Sequence, residues 1–485
     1  MKRKILTAIS LIVLLEATSL LAFFHAQSQL YSLGLFAVIA AVLTYKKLEY
    51  GLFLIFGELI VSSFGRMLSY ESLSLRMLLF FVVLFVWSIK HVPTSTNGRK
   101  ELSRTFNKSG ISSPLFVLMI ILAIAFQHGA FADRSFMSIF NDANGYLFLL
   151  LFIPVATMKL ARNALSQLIT FTSVVLSWLV VKSLIIFTYF THVSQPFFDS
   201  WFYIWLRDMR VAEITPYGDG LVRVFLQSHI FVALAFIILI SLPSKYRPKH
   251  FTKLLLGVSA VVLLSLSRSM WLGVGVGCLV LVMWLLIKKR FGLVKRVGVI
   301  GISSVLLGFV VLHALYILPF GEYQDRAPLH TLFTQRIQAI DSEVAAASRW
   351  EQLPILWSAV KEKPVMGHGF AKSLEIKNPH DAAISEDRIA FEWGWLDLWI
   401  KAGLLGVLAY VWLIYNIIRK IYQLQLPKRN CQIKRGLICT VFALIIINIF
   451  TPYTNHPLGI GALVMIFLSS ILLRDSLQDA SSKFG

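Results

Sequence analysis

Long apolar runs recur along almost the whole chain, at 5–24, 30–45, 48–64, 73–89, 114–130, 145–158, 166–190, 224–242, 254–267, 271–287, 297–318, 391–418, 437–450 and 458–473. Most are separated by short basic stretches. A hydrocarbon core about 30 Å thick is crossed by about 20 helical residues, so serial runs of this kind predict an all-α, polytopic membrane protein with about 12–14 spans. The first run follows a basic MKRK; its core is too long for a typical signal peptide and no small-residue cleavage site follows, so it is expected to be a span. No internal repeat or low-complexity linker interrupts the pattern. The expectation is one integral membrane domain over 1–485.

Two connections break the rhythm, 191–222 and 319–390. Long connections that contain aromatics and arginines are usually functional. In the second, "SRWEQLPILWSAVKEKPVMGHGF" (348–370) reads as a helix. Ser348 and Glu351 have capping-box spacing, and Trp350, Leu353, Trp357 and Val360 form an apolar stripe. Pro354 is expected to kink or restart the helix, and Pro364 with the glycines of GHGF to end it. Such an amphipathic helix would lie on the membrane surface or roof a cavity.

Residues 254–287 hold one charge, Arg268, between Lys253 and Lys288. As a single helix this segment would extend roughly 51 Å, well beyond the hydrocarbon core. It is therefore expected to be a hairpin with Ser267-Arg268-Ser269 at its turn, somewhat below the surface because the first arm is short. A charge at that depth faces protein or a water-filled cavity and is a functional candidate. The bland alternative is a snorkelling or end-capping arginine. Gly273 and Gly277 in the second arm suit close helix packing.

The net charge of +21 invites a nucleic-acid partner until its distribution is examined. With the amino terminus inside, the inner loops and tails hold 29 of the 46 Lys/Arg but four of the 25 Asp/Glu. This is the positive-inside asymmetry. It accounts for the whole excess, so no nucleic-acid partner is expected and both termini are placed in the cytoplasm. The three cysteines, Cys278, Cys431 and Cys439, have no metal-type spacing and are expected to be reduced. No HExxH, GxSxG or Walker pattern occurs, and neither metal nor cofactor is expected.

Several arginines lie at a depth comparable to that of Arg268. Arg223 opens the run "RVFLQSHIFVALAF", Arg207 and Arg210 precede it in the first long connection, and Arg349 begins the amphipathic helix. A guanidinium presents five donors in a planar fork that matches phosphate oxygens. Convergence of these arginines would build a site for a lipid-linked phosphate or pyrophosphate. Candidate acid–base groups are His330, His368, His380, Asp381, Glu386, Asp387, Glu392 and Asp397. Glu392 is expected to be partly desolvated at the end of a Trp-rich span. Asp397 and Lys401, four residues apart, are expected to pair.

The ordered set "GDGLVRVFLQSH", "SLSRSMWLGVGVG", "SRWEQLPILWSAVKEKPVMGHGF" and "WGWLDLWIKAGLLGVLAY" resembles the bacterial O-antigen ligase/polymerase superfamily over about residues 220–410. The resemblance implies a helical membrane glycosyltransferase of the C type in the bacterial inner membrane, with its active site facing outward. It would transfer glycan from an undecaprenyl-pyrophosphate donor, with membrane lipid around it. On that pattern Arg223 and Arg268 match arginines that bind the pyrophosphate, and Arg349 the arginine of the outer helix. Ligases carry a histidine about a dozen residues before the final G-L-x-G. Here Glu392 stands near that place and His380 lies further upstream. This departure favours a repeat-unit polymerase over a ligase; a transporter or flippase of lipid-linked glycan is the alternative of another class.

Overall fold

A computed structural model describes residues 2–93, 95–158, 163–193, 197–218, 221–319, 328–338, 344–378, 381–427 and 431–481. The chain is 77% helical. Among the described residues, ten helices are long and apolar enough to cross a membrane, and His229–Ser241 and Phe251–Leu264 are shorter apolar helices. The protein is an all-α multi-pass membrane protein. Its outward faces are apolar: Leu279, Ile302, Leu306 and Val310 are exposed, as side chains that meet lipid should be. Inside, small residues let helices touch. A Cβ on Gly273 would meet Ile447 and Ala443, and one on Gly277 would meet Ile237 and Ala443. Arg268–Ile287 therefore packs closely on Cys431–Phe450.

Three expectations need correction. The run 224–242 does not begin as a helix. Residues Leu221–Phe225 form a strand paired antiparallel with Glu213–Gly218, and the helix starts at His229. The β-branched VRV triplet and the turn residues before it explain the strand. Arg223 thus lies on a hairpin, opposite Thr215. Second, the roof helix spans Val344–Glu362 and passes through Ser348, so the Ser348–Glu351 spacing marks no terminus. Third, Pro354 lies inside that one helix and does not restart it. The Arg349 carbonyl, just over a turn earlier, accepts a hydrogen bond from the Trp393 indole (3.0 Å). The same helix buries Leu356, Ala359 and Val360, while Trp350 and Trp357 stay exposed. Both tryptophans meet other indoles edge-on, Trp350 with Trp393 at 5.4 Å and Trp357 with Trp399 at 5.9 Å.

The apolar run 145–158 is also more intricate than one span. A short helix, Phe136–Ala143, passes into a 3₁₀ stretch, Asn144–Leu151, and then into Phe152–Thr157. Gly145 allows the Asn455 carbonyl to approach within 2.6 Å of where a Cβ would stand. The second long connection contains, besides the roof helix, the hairpin Leu374–Asn378 with Asp381–Arg388.

Candidate active site

Arg268 is the first residue of the helix Arg268–Ile287, directly after a turn in which Leu266 adopts a positive φ of 46°. The two arms of the turn separate: Phe251–Leu264 packs chiefly on Phe291–Tyr316, and Arg268–Ile287 on Cys431–Phe450. The positive end of a helix dipole is an unfavourable place for a cation but a favourable one for an anion. Arg268 adds to that positive potential, which argues against a helix-capping role. Ser267 and Ser269 beside it are buried, with their hydroxyls 3.1 Å apart.

The β-hairpin leans on this turn. Arg223 Nε donates to the Ser265 carbonyl (3.0 Å), and its guanidinium stacks on Phe225, 4.7 Å from the ring centroid. Arg210 ends the short helix Trp201–Asp208 in a left-handed conformation (φ 51°) and lies over Phe64. Between the two arginines stands Glu213. It keeps solvent access on its strand, yet surrounding protein raises its carboxyl pKa, against the pull of Arg223 and Arg210. Arg210, Arg223 and Arg268 thus share one end of the bundle, with a carboxyl among them.

The turn after Cys431–Phe450 closes this region. The Thr451 hydroxyl lies 3.2 Å from that of Ser269, and the Tyr453 hydroxyl donates to the Gln227 carbonyl (3.1 Å). The preceding Phe450 packs on Trp393, 5.4 Å between ring centroids. Trp393 follows Glu392, whose carboxylate accepts from Arg349 Nε. The second arginine site therefore adjoins the first through residues 450–453.

Arg349 and Glu392 form an ion pair whose side chains are 35% and 42% exposed. Glu392 is thus partly buried, as its position in the sequence suggested, and its carboxylate is paired with Arg349. His380 lies outside the described residues. Of the other acid–base candidates, His330 is exposed, Glu386 bonds Arg388 (3.0 Å), and Asp387 accepts from Ser373 (3.0 Å), as hairpin surface charges do. His368 is buried with Nε2 2.8 Å from the Ala359 carbonyl, and burial lowers its pKa. It pins the GHG loop to the roof helix.

That loop makes an unusual junction. The helix Gly394–Gln423 breaks at Gly403, with φ 69° and ψ −177°, a region open essentially to glycine. Helical bonds from Leu404 to Ile400 and from Leu405 to Lys401 cannot form across the break. The loop supplies all four partners. Leu404 N donates to the Pro364 carbonyl (2.9 Å) and Leu405 N to that of Val365 (3.4 Å). His368 N and Gly369 N donate to Ile400 and Lys401 (2.7 and 3.0 Å). A Cβ on Gly403 would stand 2.0 Å from the Val365 carbonyl, and one on Gly367 would stand 2.6 Å from Gly403 N. Irregular backbone within a membrane protein persists where protein satisfies it, as here.

Below the junction lies an ionic lock. Lys401 Nζ reaches Asp397 (2.7 Å) and Asp142 (2.5 Å). Asp397 also accepts from Asn455 (2.8 Å) and from Phe391 N (3.2 Å), and Asp142 from Ala371 N (2.8 Å). The expected Asp397–Lys401 pair is formed. Asp142, its third member, was not foreseen, because no spacing connects it with a residue some 260 positions away. The other unforeseen residues are Glu213, Gln227, Thr451 and Tyr453. The "TPYTN" segment does carry a signal, being a short polar, aromatic break between two apolar runs.

Fold and site together define a polytopic membrane protein with a cluster of arginines at one end of the bundle, adjoined by the helix Val344–Glu362 through its Arg349–Glu392 pair. Residues 251–411, about a third of the chain, match the family model for O-antigen ligase. This match supports the O-antigen ligase/polymerase superfamily and, broadly, a membrane activity of the glycosyltransferase kind. Arg268, Arg349, Glu392 and the Gly403 junction lie within the matched residues; Arg210 and Arg223 precede them. No curated protein matches the chain.

Proposed function

We propose that the protein is a polymerase of the bacterial inner membrane that joins undecaprenyl-pyrophosphate-linked oligosaccharide repeat units into a surface polysaccharide on the outer side. Arg223, Arg268 and Arg210 bind the donor pyrophosphate and stabilise the charge that grows on it as the leaving group departs. The acceptor hydroxyl attacks the anomeric carbon, the bond from that carbon to the phosphate oxygen breaks, and undecaprenyl pyrophosphate is released. Glu392, oriented by Arg349, accepts the hydroxyl proton. Arginines supply the positive charge that a metal supplies in nucleotide-sugar enzymes, and the reaction is expected to persist in EDTA. The observation that favours this reading is the Arg223–Ser265 bond, which ties the hairpin arginine to the turn that presents Arg268. The substitution of Glu392 where ligases place histidine favours a polymerase over transfer to a different acceptor.

The test uses purified protein in detergent with a synthetic undecaprenyl-pyrophosphate-linked repeat unit. A ladder of longer glycans with release of undecaprenyl pyrophosphate is expected. Product only on a second lipid or other acceptor would make it a ligase. Movement of the intact donor across proteoliposomes without covalent product would make it a transporter.

A further inference from the structure

An apolar recess lies at the opposite end of the bundle, where no part of the proposed reaction takes place. It is a groove of about 830 Å³ between the first helix, the helix Ala164–His192 and the loop residues 245–250. Its walls are aliphatic, with Ile5, Ile9, Val13, Ile169 and Val181 among them, and its rim carries Lys245, Arg247, Lys249 and His250. None of its lining residues is acidic.

Basic residues on this side are expected from topology alone, since loops of this kind hold a protein's orientation. Arg247 differs from an ordinary loop cation. Its Nε donates to the Leu242 carbonyl (3.4 Å), and Arg296 Nη2 donates to the same carbonyl (3.3 Å). Its plane lies over Phe251, 4.2 Å from the ring centroid. Its Nη2 is buried and has no hydrogen-bond partner among the described residues. Burial, and then the charge of Arg296, lower its pKa. Two guanidinium groups converging on one carbonyl, with a buried donor unsatisfied, form an electrostatic deficit that an anion would relieve. The carbonyl at the end of His229–Ser241 offsets part of that charge, but a single carbonyl cannot neutralise two cations.

We propose that this groove is a binding site for an anionic glycerophospholipid of the leaflet at this end. Its phosphate would meet Arg247, whose charge Arg296 reinforces through the shared Leu242 carbonyl, and its acyl chains would lie along the first helix and the helix Ala164–His192. The size and apolar walls fit acyl chains; the rim fits a phosphodiester; a zwitterionic headgroup would bring its own cation against four basic residues. Basic pockets between membrane helices select anionic lipids by this means. The site is independent of the glycan chemistry at the other end.

Native mass spectrometry of the full-length protein tests this, with phosphatidylglycerol and phosphatidylcholine of identical acyl chains offered at equal mole fraction. Phosphatidylglycerol is expected to be retained preferentially, by about fivefold for each arginine that engages it. Arg247→Gln should remove a comparable factor and Arg296→Gln, which acts through the charge beside Arg247, a smaller one; Thr170→Trp, which fills the groove and leaves the rim intact, should reduce retention of both lipids. Lys46→Gln, a basic residue outside the groove, should leave the preference unchanged. Inorganic phosphate alone should neither compete nor raise the melting temperature; if it does both, the site binds free phosphate and the lipid assignment fails. Equal retention of the two lipids, a preference unaffected by both arginine variants, or retention unaffected by Thr170→Trp overturns the proposal.

Discussion

Charge is handled in different ways at the arginine cluster and at the ionic lock. In the lock, the side chains of Lys401, Asp397 and Asp142 are 3–5% exposed, and each is matched by opposite charge or by backbone and amide donors. At the arginine cluster, Arg223 and Arg268 are half-buried and Arg210 and Glu213 exposed; Arg223 rests on the Ser265 carbonyl and on Phe225, and Arg210 on Phe64. The lock is sealed among its own charges; the cluster stays open to solvent. An ionisable group among membrane helices is therefore not functional by virtue of depth alone. Solvent access and the kind of partner separate a fastening from a binding site.

The sharpest break of that comparison is at the lock. Lys401→Met leaves two buried carboxylates without their cation, a loss of about 3–5 kcal/mol where one partner of a buried pair is removed. The expected outcome is a protein that is no longer monodisperse in detergent at temperatures where the parent is, and a stable, active Lys401→Met would remove the distinction. Gly403→Ala should fail similarly, since its carbon would collide with the Val365 carbonyl. At the arginine cluster, by contrast, Arg268→Lys should fold normally and lose about a hundredfold in turnover, because an ammonium keeps the charge but lacks the bidentate fork. A comparable melting temperature with unchanged chain growth would refute the phosphate-binding role.

Smaller effects sharpen the picture around the cluster. Glu392→Gln should slow transfer about a hundredfold if its carboxylate accepts the proton, with donor binding intact. Glu213→Gln should change turnover less than Glu392→Gln; the reverse order would move the base to the hairpin. The smallest effect concerns pH. The folded Glu213 carboxyl is raised, so the native state holds this proton more tightly than the unfolded chain does. That contribution is full below the ordinary carboxyl range of about 4.3 and is lost as pH rises through the folded value. Thermal melts should therefore show Glu213→Gln slightly more stable than the parent at neutral pH and equal to it near pH 4.

The helices were legible because apolar length and flanking charge are local signals. The turn at Arg268 followed from the same arithmetic, and the close approach at Gly273 and Gly277 from their spacing in an apolar run. What escaped was whatever depends on contact between distant segments. The VRV triplet of the hairpin was read as the start of a span because its neighbours are apolar. Trp350 and Trp357 were legible as part of an apolar stripe, but hydrophobicity does not say which of two faces meets protein. Asp142 could not be connected with Lys401, nor Thr451 with Ser269, by any periodicity. The glycines of GHGF and GLLG were visible as a pattern, but their reason, one loop completing the hydrogen bonds of a broken helix, is written in main-chain atoms and not in side-chain chemistry.

That junction has a mechanical corollary. The roof helix leads directly into the loop whose amides and carbonyls are spliced into the gap at Gly403, and those bonds can part only by leaving buried peptide groups unsatisfied on both sides. The roof is hung from a fixed post at 364–370. In the proposed reaction, a swing of this helix about that post would move Arg349 most and His368 least.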